Sequence, residues 1–152
     1  MKINSSVEQG TIVLLMLALQ KGHTPVKSHV LSHVMGVSDS YLKKTLRKLA
    51  IGGLVESSAS KDGGFQLSRP VDTITLADVY QALEPEGFMF RATSTPEKIF
   101  PDGEHVGDAI EHVVQSFQEG YEAFLDRLAK RPLSDLLEDG AWQDGCVDWA
   151  SR

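Results

Sequence analysis

Residues 36–54 read GVSDSYLKKTLRKLAIGGL, and this stretch decides the fold. Three leucines recur at helical spacing and form one apolar stripe: Leu42, Leu46 and Leu49. Ser38 is suited to cap the start of such a helix, and Gly52-Gly53 is suited to end it. The pattern therefore predicts a helix that is bound to a core through its leucines.

The outer face of this helix is polar and cationic. Taken alone, it fits a solvated surface helix as well as a helix that binds an anionic partner, and the neighbouring segments favour the second reading. The residues on that face and its flanks are Ser40, Tyr41, Lys43, Lys44, Arg47 and Lys48.

Two helices are predicted before this stretch. Ser5 to Glu8 has the spacing of a capping box, so a first helix is expected to run from there to about Gln20. A short second helix is expected to start with Pro25 just inside it and to end before Gly36. Two short helices, a turn containing glycine and a third helix with a cationic face are typical of a helix-turn-helix, whose last helix enters the major groove of DNA.

A β-hairpin is predicted directly after the third helix. Residues 54–58 and 65–68 alternate in the manner of short strands, and Asp62-Gly63-Gly64 is expected to supply positive φ angles at the tip. A hairpin in this position is a wing. We expect Lys61, Gly63 and Gly64 to approach the DNA backbone or the minor groove, although a hairpin that only closes the core has the same pattern.

The rest of the chain is predicted to hold a fourth helix, a loop and one long helix. The fourth helix opens at Thr75 and ends at Pro85, an irregular loop follows to residue 107, and the long helix starts near Gly107 or Asp108. Apolar residues on the long helix are spaced alternately four and three apart, as in a dimerisation seam, although packing within one chain has the same pattern. The seam consists of Ile110, Val114, Phe117, Tyr121, Phe124 and Leu128.

These elements define a mainly α fold with a small β-hairpin wing. We predict a winged helix-turn-helix domain over 1–84, a linker over 85–107, and a dimerisation helix with a short C-terminal helix over 108–139. The last segment, 140–152, is acidic and is expected to be poorly ordered.

The charge distribution supports a nucleic-acid partner for the first half. Residues 1–70 hold nine Lys and Arg against four Asp and Glu, whereas residues 71–152 hold six against 17. Such asymmetry is a recognised signal of a nucleic-acid-binding half. The longest apolar run, 12–19, is too short for a membrane span, and one cysteine fits a reducing cytoplasm, so we predict a cytoplasmic protein without a membrane partner.

In the order of these elements, the chain resembles the Rrf-type winged-helix transcriptional regulators. This family includes the iron–sulfur cluster regulator, the nitric-oxide-sensitive repressor and the cysteine-metabolism repressor. The resemblance covers about the first 85 residues continuously, and its motifs are specific in their order and spacing. They are Val37-Ser38-x-Ser40-Tyr41-Leu42, Leu46-x-x-Leu49, Gly53-Leu54-Val55, Gly63-Gly64-Phe65-x-Leu67-x-Arg69-Pro70 and Ile74-Thr75-Leu76-x-Asp78-Val79-x-x-Ala82-Leu83-Glu84.

The resemblance implies that Ser38, Ser40 and Tyr41 lie at the DNA surface. Where the family often has Glu-Gln on this helix, the chain has Lys43-Lys44, so its operator preference should differ, because lysine contacts phosphate or guanine rather than the cytosine amine. Cluster-binding members carry three cysteines before the long helix, but residues 85–109 contain none. The sequence therefore predicts no cofactor.

Other chemistry is weaker in this sequence. His29 and His33 have a spacing that could chelate a metal, but no nearby acid or cysteine completes a site, so no metal is predicted. Cys146 lacks the partners that a catalytic nucleophile needs, and only a redox-sensing role stays open for it. The sequence shows no catalytic arrangement of residues, and we predict that the chain is not an enzyme.

The sequence thus predicts a homodimeric, sequence-specific regulator that binds a palindromic operator in double-stranded DNA and acts as a repressor. One alternative is a winged-helix module that binds an acidic protein through its basic face. Another is a DNA binder that is controlled by a protein partner or a small-molecule effector. The sequence names neither the operator nor the effector.

Overall fold

The structure is a computed structural model that describes residues 3–100 and 103–152. Six α-helices and one two-stranded sheet follow one another in these residues. They are α1 (Ser5–Leu19), α2 (Ser28–Met35), α3 (Asp39–Ile51), β1 (Val55–Ser57), β2 (Phe65–Leu67), α4 (Leu76–Leu83), α5 (Thr95–Ile99) and α6 (Gly103–Ala129). Within this part of the chain, no helix is both long and apolar enough to cross a bilayer.

The chain forms two compact units. One comprises the chain up to Pro85 together with Leu128–Arg152, and the other is Glu86–Arg127. The expected division into a domain, a linker and a separate C-terminal helix differs from this arrangement. Leu133, after α6, is fully buried in the first unit, and its amide donates to the carbonyl of Ile74 at 2.8 Å.

The core of the first unit lies between α1, α3 and α4, with α2 and the sheet beside α3. The α3 leucines are completely buried, as the spacing predicted, and so are apolar residues from the neighbouring helices. Burial of one leucine side chain contributes about 1.5–3 kcal/mol, so this stripe fixes α3 firmly. The fully buried core residues include Val13, Leu14, Leu31, Leu42, Leu46, Leu49, Ile74, Val79 and Leu83.

The wing is an antiparallel pair in which Val55 pairs with Leu67 and Ser57 with Phe65. The hairpin was predicted correctly, but the reason given for its glycines was wrong. Neither Gly63 nor Gly64 is among the residues with positive φ. A Cβ on Gly63 would lie 2.1 Å from the Ser58 carbonyl oxygen, and one on Gly64 would lie 2.6 Å from the Val26 backbone. Close backbone approach therefore demands both glycines.

Three helix starts differ from the sequence-based predictions. Asn4 rather than Ser5 caps α1, because its side-chain oxygen accepts from the Ser6 amide at 3.1 Å. Helix α2 begins at Ser28, three residues after Pro25. Helix α6 begins at Gly103 rather than near residue 107, and α5 lies inside the predicted loop. Residues 101 and 102 of that loop lie outside the described residues.

The C-terminal tail packs against α1 instead of lying free. The amide of Cys146 donates to the Leu19 carbonyl at 2.9 Å, and the amide of Lys21 donates to Val147 at 2.8 Å. The indole N–H of Trp149 donates to the Met16 carbonyl at 2.7 Å. The acidic composition of this segment suggested disorder. Composition alone could not reveal that the segment donates hydrogen bonds to the carbonyls at the end of α1, which have no partner within the helix.

Candidate nucleic-acid interface

Both ends of helix α3 are capped. Ser38 caps it as predicted, since the Ser38 hydroxyl accepts from the Tyr41 amide at 3.2 Å. At the other end, the amide of Leu54 donates to the Leu49 carbonyl and the amide of Gly53, whose φ is 71°, donates to Ala50. This is a Schellman ending, which only glycine forms readily. Both ends of the helix are therefore fixed by residues of the motif itself.

The predicted DNA-facing side of α3 is exposed. Lys44 and Arg47 project from the side opposite the buried leucines, and in the part of the chain that the structure describes, neither side chain forms an ion pair. Two exposed cations on a helix that is anchored through its leucines are suited to contact phosphates or guanine edges. We refer to Ser38, Ser40, Tyr41, Lys43, Lys44 and Arg47 as the α3 face.

Lys43 lies on the same face but is paired. Its ammonium lies 2.7 Å from a carboxylate oxygen of Asp39, one turn earlier. Hydrogen bonding to Lys43 holds the pKa of Asp39 below its usual value. Since a carboxyl with a lowered pKa stays ionised at neutral pH, Asp39 places a negative charge beside the first turn under physiological conditions. Sequence reasoning missed this residue, although an i, i+4 pair of opposite charges is visible in the sequence.

Lys48 differs from its neighbours. Its ammonium donates to the carbonyl of Leu83 at the end of α4, at 3.0 Å. This contact satisfies a terminal helix carbonyl with a cation, which is favourable at the negative end of the helix dipole. In the structure, Lys48 therefore joins α3 to α4, and the sequence did not indicate this contact.

The wing residues occupy two environments. Lys61 and Asp62 are exposed at the tip, whereas Gly63 is buried against the backbone of Ser58 and Ser60. The Gly63 amide donates to the Ser60 carbonyl at 2.9 Å, so the tip is a tight turn. The wing thus offers one lysine with a carboxylate next to it, and the glycines shape the turn.

A second ion pair secures the segment after the wing. Arg69 lies 3.1 Å from Asp78, the residue that completes the capping box of α4 with Thr75. Burial is the largest single influence on the Asp78 carboxyl and raises its pKa, but hydrogen bonds from Thr75 and Arg69 together outweigh it and lower the pKa. The carboxylate form is therefore the one the fold favours, and it holds the wing to α4.

The histidines and the cysteine that were considered for other chemistry lie outside α3. His29 and His33 are both exposed on α2, and no group of three potential ligands occurs within residues 3–100 and 103–152. The one cysteine, Cys146, is exposed in the tail. Residues 85–109, where the cluster ligands of the resembling family lie, contain no thiol.

Replacement of Asp39 with asparagine is expected to strengthen DNA binding. The change removes a negative charge from the α3 face and frees Lys43, so the slope of log K against log salt should steepen by about one unit. Fluorescence anisotropy of a mixed-sequence duplex at several salt concentrations measures this slope. Asp139→Asn, at an exposed position just before the tail, is the matched control. An affinity for the Asp39 variant at or below wild type would contradict the assignment.

The chain is similar to known proteins along most of its length. The sequence model of the Rrf2 family, described as "Iron-dependent Transcriptional regulator", matches residues 3–139. A protein described as an HTH-type transcriptional regulator, YwgB of Bacillus subtilis, is 40% identical over 152 residues, which is 100% of this chain and 96% of that protein.

Solved structures share the fold. A transcriptional regulator from Listeria innocua superposes with a TM-score of 0.66 at 24% identity, over 92% of this chain and 88% of that one. The oxidized form of Staphylococcus aureus CymR gives a TM-score of 0.62 at 25% identity, over 91% of this chain and 97% of that one. The match therefore extends over both compact units and not only over the helix-turn-helix.

Proposed function

Because the chain belongs to the Rrf2 family and is a DNA-binding transcriptional regulator of the winged-helix class, we propose that it acts as a cytoplasmic, homodimeric repressor that reads a palindromic operator without an iron–sulfur cluster. In this proposal the function is binding, with no catalytic step. The α3 face meets the major groove, and Lys61 on the wing meets the backbone. Lys48, Gly63 and Gly64 act by holding the reading surface in shape.

The observation that carries this proposal is the contrast between the two sides of α3. Leu42, Leu46 and Leu49 are completely buried, while Lys44 and Arg47 on the other side are exposed. A helix held this way presents its cations at fixed positions, which sequence readout requires. Phosphate contacts then supply affinity, and base-edge contacts supply selection.

The dimer is supported by the side of α6 that carries the predicted seam. Phe117, a large apolar side chain of the seam, is 46% exposed. Two aromatic residues of the same chain cover part of the seam. The ring centroids of Phe90 and Phe117 are 4.6 Å apart in a stacked arrangement, and those of Phe88 and Tyr121 are 6.0 Å apart. A second copy would cover what these aromatic residues leave open.

The absence of a cluster is proposed from the donor set. An iron–sulfur cluster is held by several thiolates, or by thiolates with histidines. The chain has a single cysteine, and it lies in the tail that packs against α1. These residues do not fit a cluster, and the signal that this repressor answers must have another chemistry.

Selection of bound duplexes from a random pool tests the proposed function. Recovery of a palindrome whose half-sites lie about 34–36 Å apart would support a dimeric operator reader. If no sequence is enriched, but the protein captures an acidic partner through the same face, the protein-interaction module replaces the operator reader. Mixed-sequence DNA at two salt concentrations separates the two, because only a DNA binder shows a steep salt dependence.

Introduction of a charge into the α6 seam is expected to break the dimer. Phe117→Glu places a carboxylate where an apolar surface would be buried, and an unpaired buried charge is strongly unfavourable. Sedimentation velocity should show a monomer, with operator binding much weakened because only one half-site is bound. Ser116→Glu, on the adjacent exposed position, is the control and should stay dimeric. If the Phe117 variant is still a dimer, the α6 seam is not the dimer interface.

A further inference from the structure

The second compact unit contains a cavity that the DNA-binding function does not use. It has a volume of about 760 Å³ and lies between the segment from Phe90 to Phe100 and the first part of α6. This volume is within the range of about 300–1,000 Å³ that small-molecule pockets occupy. All of the lining residues that the structure describes belong to the second unit, residues 86–127.

The walls are mainly apolar. Phe90 is held in place by its stacking on Phe117, and it faces side chains of the first turns of α6. Several apolar groups remain open to water, including Phe100 at 57% exposure and Val113 at 45%. Covering such side chains is favourable by about 25 cal/mol per Å², so the cavity favours a ligand with an apolar body. The larger apolar lining residues are Phe90, Pro96, Phe100, Val106, Ile110 and Val113, and Ala92 and Ala109 complete the apolar part of the described lining.

The polar lining has one sign of charge. Arg91 lines the cavity, together with Thr93 and His105, and no carboxylate is among the lining residues that the structure describes. This is unexpected from composition, because residues 71–152 hold 17 Asp and Glu against six Lys and Arg. Among the described lining residues, Arg91 is therefore the one permanently charged group, although it lies in the acidic half of the chain.

Arg91 has further hydrogen-bond donors available for a ligand. Its Nε donates to the thioether of Met89 at 3.4 Å, and thioether sulfur is a weak acceptor. Within the described residues the guanidinium forms no ion pair. A guanidinium has five donors arranged to match a carboxylate in a bidentate manner, and such charge-assisted bonds are about twice as strong as neutral ones.

We propose that this cavity binds a small organic carboxylate with an apolar, ring-containing body. The carboxylate pairs with Arg91 at the rim, and the body lies against Phe90, Phe100 and the apolar side of α6. This site goes beyond operator binding, and it gives the regulator a ligand of stated chemistry in place of a cluster. Ligand binding requires neither DNA nor the proposed operator contacts, so the two proposals can fail separately.

Isothermal titration calorimetry of the full chain with 4-phenylbutyrate tests the site. We expect saturable binding with one site per chain. The uncharged probe 4-phenylbutan-1-ol should bind roughly tenfold more weakly or worse, because it loses the charge-assisted bonds. Arg91→Gln should weaken phenylbutyrate to a similar degree and leave the alcohol unchanged. Equal binding of both probes by wild type would overturn the carboxylate assignment.

A pair of variants on α6 tests the location. Ala109→Trp places a large side chain inside the cavity, whereas Ala123→Trp makes the same change on an exposed position farther along the helix. The first should abolish phenylbutyrate binding and the second should preserve it, with circular dichroism confirming that both are folded. Equal loss in both variants would overturn the site. If wild type binds neither probe and Ala109→Trp alters the sedimentation coefficient, a second copy of the chain fills the groove and the proposal is wrong.

Discussion

Replacement of Lys44 with alanine is expected to weaken operator binding by roughly 1–3 kcal/mol, which corresponds to about a five- to 150-fold loss, if its ammonium reads a base. Lys44 lies on the exposed side of a helix that is fixed through Leu46 and Leu49, so truncation removes a contact without loosening the scaffold. The dissociation constant of the selected operator, measured by fluorescence anisotropy at constant salt, gives this number directly.

The salt dependence distinguishes two roles for Lys44. If it reads a base, Lys44→Ala should lose selectivity at one operator position and keep its binding to mixed-sequence DNA. If it contacts only phosphate, binding to all sequences should weaken together and the salt slope should fall by about one unit. Lys130→Ala, on an exposed position after the end of α6, is the matched control. Operator affinity equal to wild type would exclude Lys44 from the interface.

Replacement of Leu46 with alanine is expected to lower the free energy of unfolding by about 2–5 kcal/mol. The Leu46 side chain is completely buried in the middle of the α3 stripe, and its truncation leaves a cavity among the helices of the first unit. Because domains of this size are stable by only about 5–15 kcal/mol, the loss is a large share of the total.

Urea unfolding followed by far-UV circular dichroism measures this effect. Tryptophan fluorescence gives a second probe, since Trp142 and Trp149 pack against the same core. Ile51→Ala is the control on the same helix, because Ile51 is 78% exposed, and it should shift the midpoint little. A Leu46 variant that unfolds at the wild-type midpoint would contradict the view that this stripe anchors the reading helix.

The elements of the first unit could be predicted from the sequence because their signals are local. The α3 leucines recur within one helix, Ser38 and Gly53 act on the adjacent turn, and Thr75 with Asp78 forms a box within four residues. In each case the residues that make the contact are those that form the pattern. The same reasoning placed Lys44 and Arg47 on the exposed side, where the structure has them.

Contacts between distant parts of the chain needed the tertiary structure. Lys48 shares the spacing of the DNA-facing lysines, but its ammonium reaches a carbonyl 35 residues away. Gly63 and Gly64 looked like turn residues, and it is the approach of the Ser58 and Val26 backbones that requires them. The tail was expected to be poorly ordered from its composition, which does not reveal that Trp149 donates to Met16 on α1 and to Gln20 at its C-cap, more than 120 residues earlier.

The sequence by itself therefore determined which elements form and which side of α3 carries the cations, since periodicity and end signals act over a few residues. The tertiary structure decided which of those cations are already engaged, which glycines are required by close backbone approach, and that a cavity lined by Arg91 exists beside α6. These contacts and this cavity depend on which separate segments pack against each other. The spacing of residues within one segment carries no information about that packing.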